Sequence, residues 1–208
     1  MSDPRAVVAA EDLEVRYHGG PEPAVRGVSL RLGRGEGLLV SGPPGAGNTS
    51  LLRGLLGLVE RRGRVWLHGA PAGAPSGRGR TGYGPQGAGF GSGLRVAEVV
   101  REALSLRAGE PAPGAAADAV SRAGLAYVAG WRTARLDAEG HRRLALAVAV
   151  AGDPDLVVLD DPWVLGDTMR EIAAARARGA AVLVASQRPG GLGPALGRRM
   201  ALLDGVAR

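Results

Sequence analysis

The fold is decided by one stretch of sequence, Leu38-Leu39-Val40-Ser41-Gly42-Pro43-Pro44-Gly45-Ala46-Gly47-Asn48-Thr49-Ser50. Its first three residues are apolar, which predicts a buried strand over 37–41. A helical pattern over 49–58 follows directly. Between the two lie three glycines and two prolines, a composition typical of a tight loop. The stretch therefore predicts a strand, a glycine-rich loop and a helix in immediate succession.

This loop matches the frame of a phosphate-binding loop, G-x-x-x-x-G-K-[ST], at every position except the lysine, which is Asn48. Glycines allow the backbone to wrap an anion so that several N–H groups face the phosphates, and the helix adds its positive N-terminal end. Thr49 is placed to offer its hydroxyl to Mg²⁺. With 35 glycines in the chain such a glycine pair also arises by chance. The strand before it and the helix after it favour the phosphate site.

Apolar runs and helical patterns alternate along the rest of the chain. The predicted strands are 6–17, 28–32, 37–41, 64–67, 156–160, 181–186 and 200–203, and the predicted helices are 49–58, 96–106, 115–123, 139–151, 168–178 and 192–198. This alternation predicts an α/β protein with a largely parallel sheet covered by helices. At 208 residues we expect one domain, 1–208, with a helical insertion at about 87–137.

Charge and composition restrict the compartment and the partners. The net charge is +6 and every basic residue is arginine, but the arginines are scattered singly or in pairs, so nucleic-acid binding is not expected. The chain has no cysteine, and residues 1–10 lack the pattern of a secretory signal. The longest apolar run, 144–151, is shorter than a bilayer-spanning helix requires. We expect a cytoplasmic protein whose membrane role, if any, depends on a partner.

Taken in chain order, the motifs resemble those of an ATP-binding-cassette (ABC) transporter ATPase. The segments that carry the resemblance, besides the phosphate loop, are Leu-Glu-Val-Arg-Tyr (13–17), Val-Arg-Gly-Val-Ser-Leu (25–30), the Q-loop-like Gly-Tyr-Gly-Pro-Gln (82–86), the Walker-B-like Asp-Pro-Asp-Leu-Val-Val-Leu-Asp-Asp-Pro (153–162), the D-loop position 167, the switch strand 182–187 and the closing hairpin 199–205. The resemblance implies a P-loop NTPase (ABC-type) core with a mostly parallel sheet, an N-terminal antiparallel β part and a small helical insertion.

The resemblance also implies a site for ATP and Mg²⁺. The residues expected to contact the nucleotide are Tyr17, which would stack on adenine, Gly42, Pro43, Gly45, Ala46, Gly47, Asn48, Thr49, Ser50 and Gln86. The expected Mg²⁺ ligands are Thr49, Gln86 and Asp160, and the candidate catalytic residues are Asp161 and Gln187. Two of these have plain structural alternatives: Tyr17 as a strand-end residue and Gln86 as part of a turn. Asp160 ends an apolar strand, where a buried acid without a metal is costly, which favours the metal ligand.

Four departures from the family pattern fall on chemistry. Asn48 replaces a lysine, and a neutral amide offers a hydrogen bond of roughly 1 kcal/mol where an opposite charge at ~4 Å offers about 4 kcal/mol. Arg53 is not expected to replace the positive charge of that lysine, because it should lie one turn too far along the helix and face outward. Asp161 replaces a glutamate that polarises water, and a displacement near 1 Å can lower a rate on the order of a hundredfold. Gln187 replaces a histidine and cannot carry positive charge.

The signature segment 136–147 departs furthest. In the family a serine hydroxyl and glycine N–H groups at this place donate to the γ-phosphate of ATP held by the opposite subunit. Asp137 and Glu139 bring two carboxylates there instead, so a site completed by this segment is expected to be inactive.

Three functional hypotheses follow. The first is the ATP-binding subunit of an ABC transporter, with at most slow hydrolysis. The second is a non-catalytic pseudo-ATPase scaffold paired with an active cassette. The third is a soluble ABC-type protein acting on nucleic acid, which ranks last because such relatives carry large insertions or coiled coils. The first two imply an integral membrane subunit at the inner face of the cell membrane and a second nucleotide-binding subunit. That subunit is identical or different, and the changed signature favours a heteromeric pair. The sequence specifies neither the cargo nor its direction.

Overall fold

A computed structural model of the chain describes residues 6–20, 22–74, 80–87, 90–91, 93–162 and 166–208. The strands are β1 (Ala6–Val15), β2 (Val25–Gly33), β3 (Gly37–Ser41), β4 (Arg61–Leu67), β5 (Ala70–Pro71), β6 (Thr81–Gly84), β7 (Leu156–Asp160), β8 (Ala181–Ser186), β9 (Gly197–Leu203) and β10 (Val206–Ala207). The α-helices are α1 (Asn48–Leu56), α2 (Val96–Ala108), α3 (Ala115–Arg122), α4 (Ala138–Val150), α5 (Gly166–Ala177) and α6 (Leu192–Leu196).

The central sheet has the strand order β10-β9-β3-β8-β7-β6. All neighbouring pairs are parallel except the β9–β10 hairpin. Parallel strands end at the same edge of a sheet, and Ser41 lies opposite Ser186 while Asp160 lies opposite Ala185. The carboxyl edge of the sheet therefore brings together the ends of β3, β8, β7 and β6, from which the predicted site residues extend.

A second sheet is antiparallel, in the order β2-β1-β4-β5. It covers α1 from the side opposite the central sheet, and apolar residues of both sheets and of α1 form one core cluster. This confirms the predicted α/β class with a mostly parallel sheet and an N-terminal antiparallel part.

Helices α4, α5 and α6 cover the other face of the central sheet, and α2 and α3 pack against α4; together with the sheet they form a second core cluster. The strands of this sheet are buried on both faces: in β7, Leu156 and Val158 face α1, while Val157 and Leu159 face the second cluster. A strand buried on both faces is a nearly continuous apolar run, which is why its position was predicted from sequence. Helices α2 and α3 fall within 87–137, where the insertion is predicted.

Most predicted boundaries agree within a few residues, and two differences have clear causes. β4 begins at Arg61 rather than at residue 64, because its polar first half pairs with the acidic residues of β1. There Arg64 forms a 2.6 Å ion pair with Glu11. β6 was not predicted as a strand, because its sequence Thr-Gly-Tyr-Gly has little strand character apart from its pairing with β7. Among the residues that the structure describes, no helix has the length and apolar character needed to cross a membrane.

Candidate functional site

The glycine-rich loop connects the end of β3 to the start of α1, and close contacts require two of its glycines, Gly42 and Gly47. A Cβ atom on Gly42 would lie 2.2 Å from the Leu202 carbonyl oxygen. Gly47 has a left-handed φ of 100°, and a Cβ there would lie 2.2 Å from the Ala24 carbonyl oxygen. A side chain at either position would displace backbone, so these contacts fix the shape of the loop.

The start of α1 offers unpaired backbone donors. Gly47 is its N-cap residue and supplies no side-chain hydrogen bond, and the first turn of the helix contains no acidic residue. Around the loop, Pro43 and Gly45 are exposed, Ala46 is buried, and Ser50 is half-buried. An uncapped helix N-terminus beside a tightly wrapped glycine loop has the polarity that suits a phosphate group.

The Asn48 side chain folds back onto the loop. It is 8% exposed, and its Nδ2 donates to the carbonyl oxygen of Gly42 at 2.9 Å. Its Oδ1 is buried and finds no hydrogen-bond partner among the described residues. The amide thus braces the loop internally, and the sequence-based prediction that Asn48 binds nucleotide stays a prediction.

Thr49 and Asp160 form the central polar pair of the site. Asp160 follows Leu156 and Val158 on the α1 side of β7, and its Oδ1 accepts a hydrogen bond from Thr49 Oγ1 at 3.0 Å. Its Oδ2 is buried and has no hydrogen-bond partner in the described part of the chain. Burial raises the pKa of Asp160, and the Thr49 hydrogen bond opposes that rise.

A buried carboxylate oxygen left unpaired next to a threonine hydroxyl is a costly arrangement in the absence of a cation. Hard divalent cations such as Mg²⁺ prefer oxygen ligands of this kind. The donor set therefore fits the cation that the sequence predicts at Thr49 and Asp160.

Arg53 is exposed, as the sequence predicts, but its charge is not remote from the site. Burial acts to lower the pKa of Arg53, and interactions with the hydroxyl groups of Tyr83 and Tyr17 outweigh it and raise the pKa. The Tyr83 hydroxyl makes no hydrogen bond of regular geometry to the described residues, and its burial, with the nearby Asp160 charge, raises its pKa to about 12. Arg53 therefore sits by two tyrosines and acts on Asp160 through space. Tyr17 itself is 39% exposed.

Asp161 occupies the centre of a hydrogen-bond cluster at the end of β7. Its Oδ1 accepts from Ser186 Oγ and from the Gln187 backbone N–H, each at 3.2 Å, and its Oδ2 accepts from Gln86 Nε2 at 3.1 Å. Its own N–H donates to the Ala185 carbonyl oxygen at 2.7 Å. Three predicted site residues, Gln86, Asp161 and Gln187, are thus brought into direct contact.

Ser186 was missed as a site residue by sequence reasoning. It ends the apolar run of β8 and is 2% exposed, and its Oγ donates to Asp161 and accepts from the Arg188 backbone N–H at 3.2 Å. A hydroxyl at the end of an otherwise apolar strand, opposite Ser41, is the signal that could have identified it. By contrast, the Gln187 side chain is exposed, and only its backbone takes part in the cluster.

Two residues of the changed signature segment, Asp137 and Glu139, make contacts within the chain that the sequence analysis did not predict. Asp137 is the N-cap of α4, and its Oδ1 accepts from the Gly140 N–H at 2.7 Å. Glu139 is paired with Arg143 at 2.9 Å, and the same guanidinium binds Asp167 at 2.8 Å. Both carboxylates therefore have partners within the chain: Asp137 caps a helix terminus, and Glu139 shares the Arg143 guanidinium with Asp167.

Comparison with known proteins agrees with this geometry. A family model described as "ABC transporter" matches residues 25–164. The chain is 30% identical over 167 residues to the taurine import ATP-binding protein TauB of Pseudomonas fluorescens, covering 76% of this chain and 60% of that protein. It is 36% identical over 160 residues to the zinc import ATP-binding protein ZnuC of Paracoccus denitrificans, covering 75% and 57%. The chain thus spans less than two thirds of the length of these relatives.

Solved structures show the same fold at lower sequence identity. A dimeric ATP-binding cassette in a post-hydrolysis state, bound to ADP and Pi, superposes with a TM-score of 0.84 at 21% identity, covering 97% of this chain and 96% of that one. An ATP-binding subunit of an ABC transporter superposes with a TM-score of 0.84 at 18% identity, covering 96% and 87%. Because the family model matches residues 25–164, which is more than half of the chain, the chain belongs to the ABC transporter family.

Proposed function

We propose that this chain is the ATP-binding subunit of an ABC transporter, which binds Mg-ATP at the glycine-rich loop and hydrolyses it slowly or not at all. The observation that carries the proposal is the buried Thr49–Asp160 pair, whose free carboxylate oxygen lies beside an uncapped helix N-terminus. The glycine contacts at 42 and 47 support the same reading, because they fix a loop that only glycine can form.

In this proposal the backbone N–H groups at the start of α1 bind the phosphates, Tyr17 stacks on the base, and Thr49, Asp160 and Gln86 hold Mg²⁺. When bound, Mg²⁺ neutralises charge on the phosphate oxygens. Asn48 contributes little of the attraction that a lysine would, because it is neutral and its Nδ2 is engaged with the loop. We therefore expect weaker binding than in a cassette with the lysine.

Hydrolysis is expected to be slow for reasons visible in the cluster around Asp161. Its Oδ1 already accepts two hydrogen bonds and its Oδ2 one, so a single acceptor position on Oδ2 is left to orient water. Gln187 cannot supply positive charge to a developing transition state.

A second candidate is a non-catalytic scaffold subunit paired with an active cassette. Asp137 favours it, because an internal carboxylate already occupies the N-terminus of α4. An anion from a partner's nucleotide would have to compete with that cap and with the charge of Glu139.

The cellular setting follows from the relatives. Several are named as import ATP-binding proteins, for taurine, zinc and hemin. We propose that this chain likewise serves an import system, as one nucleotide-binding domain (1–208, with the insertion at about 87–137). It would dock on the inner face of the cell membrane through an integral membrane subunit and pair with a second nucleotide-binding subunit. The relatives differ in cargo, so their names do not favour one cargo for this chain.

The proposal is tested by calorimetric titration of Mg-ATP into the purified chain, with Asn48→Lys and Asp160→Asn beside it. We expect weak binding by the wild type, about tenfold or more tighter binding by Asn48→Lys, and loss of the gain in affinity that magnesium produces in Asp160→Asn. Binding by Asn48→Lys alone would favour the scaffold. Absence of binding by both the wild type and Asn48→Lys would refute the assignment of the phosphate loop. An ATPase assay on the binding-competent variants then separates binding from turnover.

A further inference from the structure

Asp161 connects the ends of three neighbouring parallel strands. It follows β7, which lies between β8 and β6 in the central sheet. On the β8 side its carboxylate accepts from Ser186 and from the Gln187 backbone, and on the β6 side it accepts from Gln86. These contacts join the segments that follow β6 and β8, which are not adjacent in the sheet.

The backbone at Asp161 is suited to this task. Its φ of 47° is in the left-handed region, which aspartate and asparagine adopt more readily than other non-glycine residues. That turn directs a short side chain back between its two neighbours. The conformation is fixed by the 2.7 Å hydrogen bond from its N–H to the Ala185 carbonyl oxygen.

The chemistry of the carboxylate determines the orientation of the Gln86 amide. An ionised carboxylate only accepts hydrogen bonds, so the end of the amide that faces Asp161 must be the NH₂ group. The Gln86 Oε1 therefore points away from Asp161 and is the oxygen left for another partner. An amide oxygen is a ligand that Mg²⁺ accepts, whereas an amide nitrogen is not.

We propose that Asp161 is a positioning residue, which ties the Gln86 segment to the Ser186–Gln187 turn and orients Gln86 so that its oxygen, rather than its nitrogen, is available to a bound cation. The second half of this inference rests on the proposed function, because it concerns the cation of the nucleotide site. The first half concerns the ligand-free chain and stands without it.

The tie is tested in the ligand-free protein by hydrogen–deuterium exchange at the Gln187 amide, whose N–H donates to Asp161 Oδ1. Asp161→Ala removes both acceptors, and we expect the Gln187 amide to exchange roughly tenfold or more faster. Asp161→Asn keeps one oxygen, which must face the Gln187 N–H because that group can only donate, so protection is expected to stay near the wild-type level. Asp12→Asn is the matched control, since Asp12 also has a left-handed φ, 53°, but lies in the antiparallel sheet.

Asp161→Asn also tests the orientation of Gln86. With its oxygen held by Gln187, the new NH₂ group faces Gln86, and two donors cannot pair. The Gln86 amide must then rotate and present its nitrogen to the cation site. We expect the gain in ATP affinity produced by magnesium, measured with excess magnesium and with EDTA, to fall about ten- to a hundredfold, while metal-free affinity does not decrease.

The outcomes separate this proposal from the proposed function. An unchanged magnesium dependence in Asp161→Asn, with the wild type binding Mg-ATP normally, overturns the orienting role while the proposed function stands. If the wild type binds no nucleotide, both the proposed function and the orienting role fail. The connection between the Gln86 segment and the Ser186–Gln187 turn is then tested by hydrogen–deuterium exchange alone. Unchanged protection of the Gln187 amide in a folded Asp161→Ala overturns that connection. If Asp161→Ala does not fold, loss of Gln187 protection in Asp161→Asn contradicts the proposal.

Discussion

Replacing Asp160 with asparagine should stabilise the ligand-free protein. The carboxylate is 4% exposed and one of its oxygens has no hydrogen-bond partner among the described residues. Asparagine has nearly the same shape and keeps an oxygen that can accept from Thr49. It removes the buried charge but places an NH₂ group where Oδ2 has no partner, so the expected net gain is at the low end of the about 1–3 kcal/mol that an unsatisfied buried group costs. For a protein of this size the expected rise in Tm is about 2–4 °C for each kcal/mol.

The effect has a defined pH dependence. Burial raises the pKa of folded Asp160 above its ordinary value of 3.8, despite the opposing Thr49 hydrogen bond. At pH below that ordinary value the group is protonated in both the folded and the unfolded chain, and the penalty is absent. As the pH rises through the folded pKa, the folded chain must hold a buried charge, and the wild type loses stability relative to Asp160→Asn. The difference should therefore be small in acid and fully developed at neutral pH.

The measurement is thermal or urea denaturation of both proteins across this pH range, in EDTA. Asp155→Asn is the control, because Asp155 precedes β7 and pairs with Arg80 at 2.6 Å and Arg34 at 3.2 Å. The Arg80 hydrogen bond lowers the pKa of Asp155, so its contribution to stability has the opposite sign. That exposed cluster should contribute less than about 1 kcal/mol. If Asp160→Asn is less stable than the wild type at neutral pH, the reasoning about an uncompensated charge is refuted.

Three further changes test the surroundings of the site by urea denaturation. Asp137→Ala should lower stability by about 0.5–2 kcal/mol through loss of the α4 cap, and Asp137→Ser should restore most of it; equal losses would contradict the capping role. Gly47→Ala should disrupt the loop, because its Cβ would lie 2.2 Å from the Ala24 carbonyl oxygen. Full stability with intact ATP binding would contradict this prediction, because it would show that the loop can move to accept the side chain. Arg107→Met should cost about 1–3 kcal/mol, because the half-buried guanidinium donates to the carbonyl oxygens of Val148 and Ala151 at the C-terminal end of α4. The exposed Arg101→Met is its control, and similar losses from both variants would contradict this role of Arg107.

Much of the fold could be predicted because its signals are local. The runs 37–41, 156–160 and 181–186 are apolar over their whole length, as strands buried on both faces must be, and their predicted bounds match the structure. The β6 strand could not be predicted in this way, because four residues with two glycines become a strand only through the pairing of Tyr83 with Val158. The start of β4 depends likewise on the acidic residues of β1 across from it.

The motifs predict where the candidate site residues lie along the chain, but they do not predict the hydrogen-bond and ion-pair partners of those residues. The Asn48 amide donates to the Gly42 carbonyl oxygen, six residues earlier in the chain, a partner that the motif does not specify. Glu139 was expected to bring a carboxylate to the signature position, but its ion pair with Arg143 one turn along α4 was not predicted. Such choices depend on rotamers and on which donors the fold leaves unpaired, and sequence spacing does not contain that information.

The substitutions at this site share one electrostatic consequence. Neutral amides stand at positions 48 and 187, where the family pattern has groups that can be positive. Arg53, further along α1, interacts with the hydroxyl groups of Tyr17 and Tyr83. Among the described residues of this loop, the groups suited to attract a polyphosphate are the backbone N–H groups at the α1 N-terminus, together with a cation that Thr49 and Asp160 would hold. A helix terminus carries only about half a unit of charge, so the cation must provide most of the attraction. Nucleotide binding by this chain should therefore depend on magnesium more steeply than binding by a cassette that keeps the lysine, and Asn48→Lys should reduce that dependence as it raises affinity.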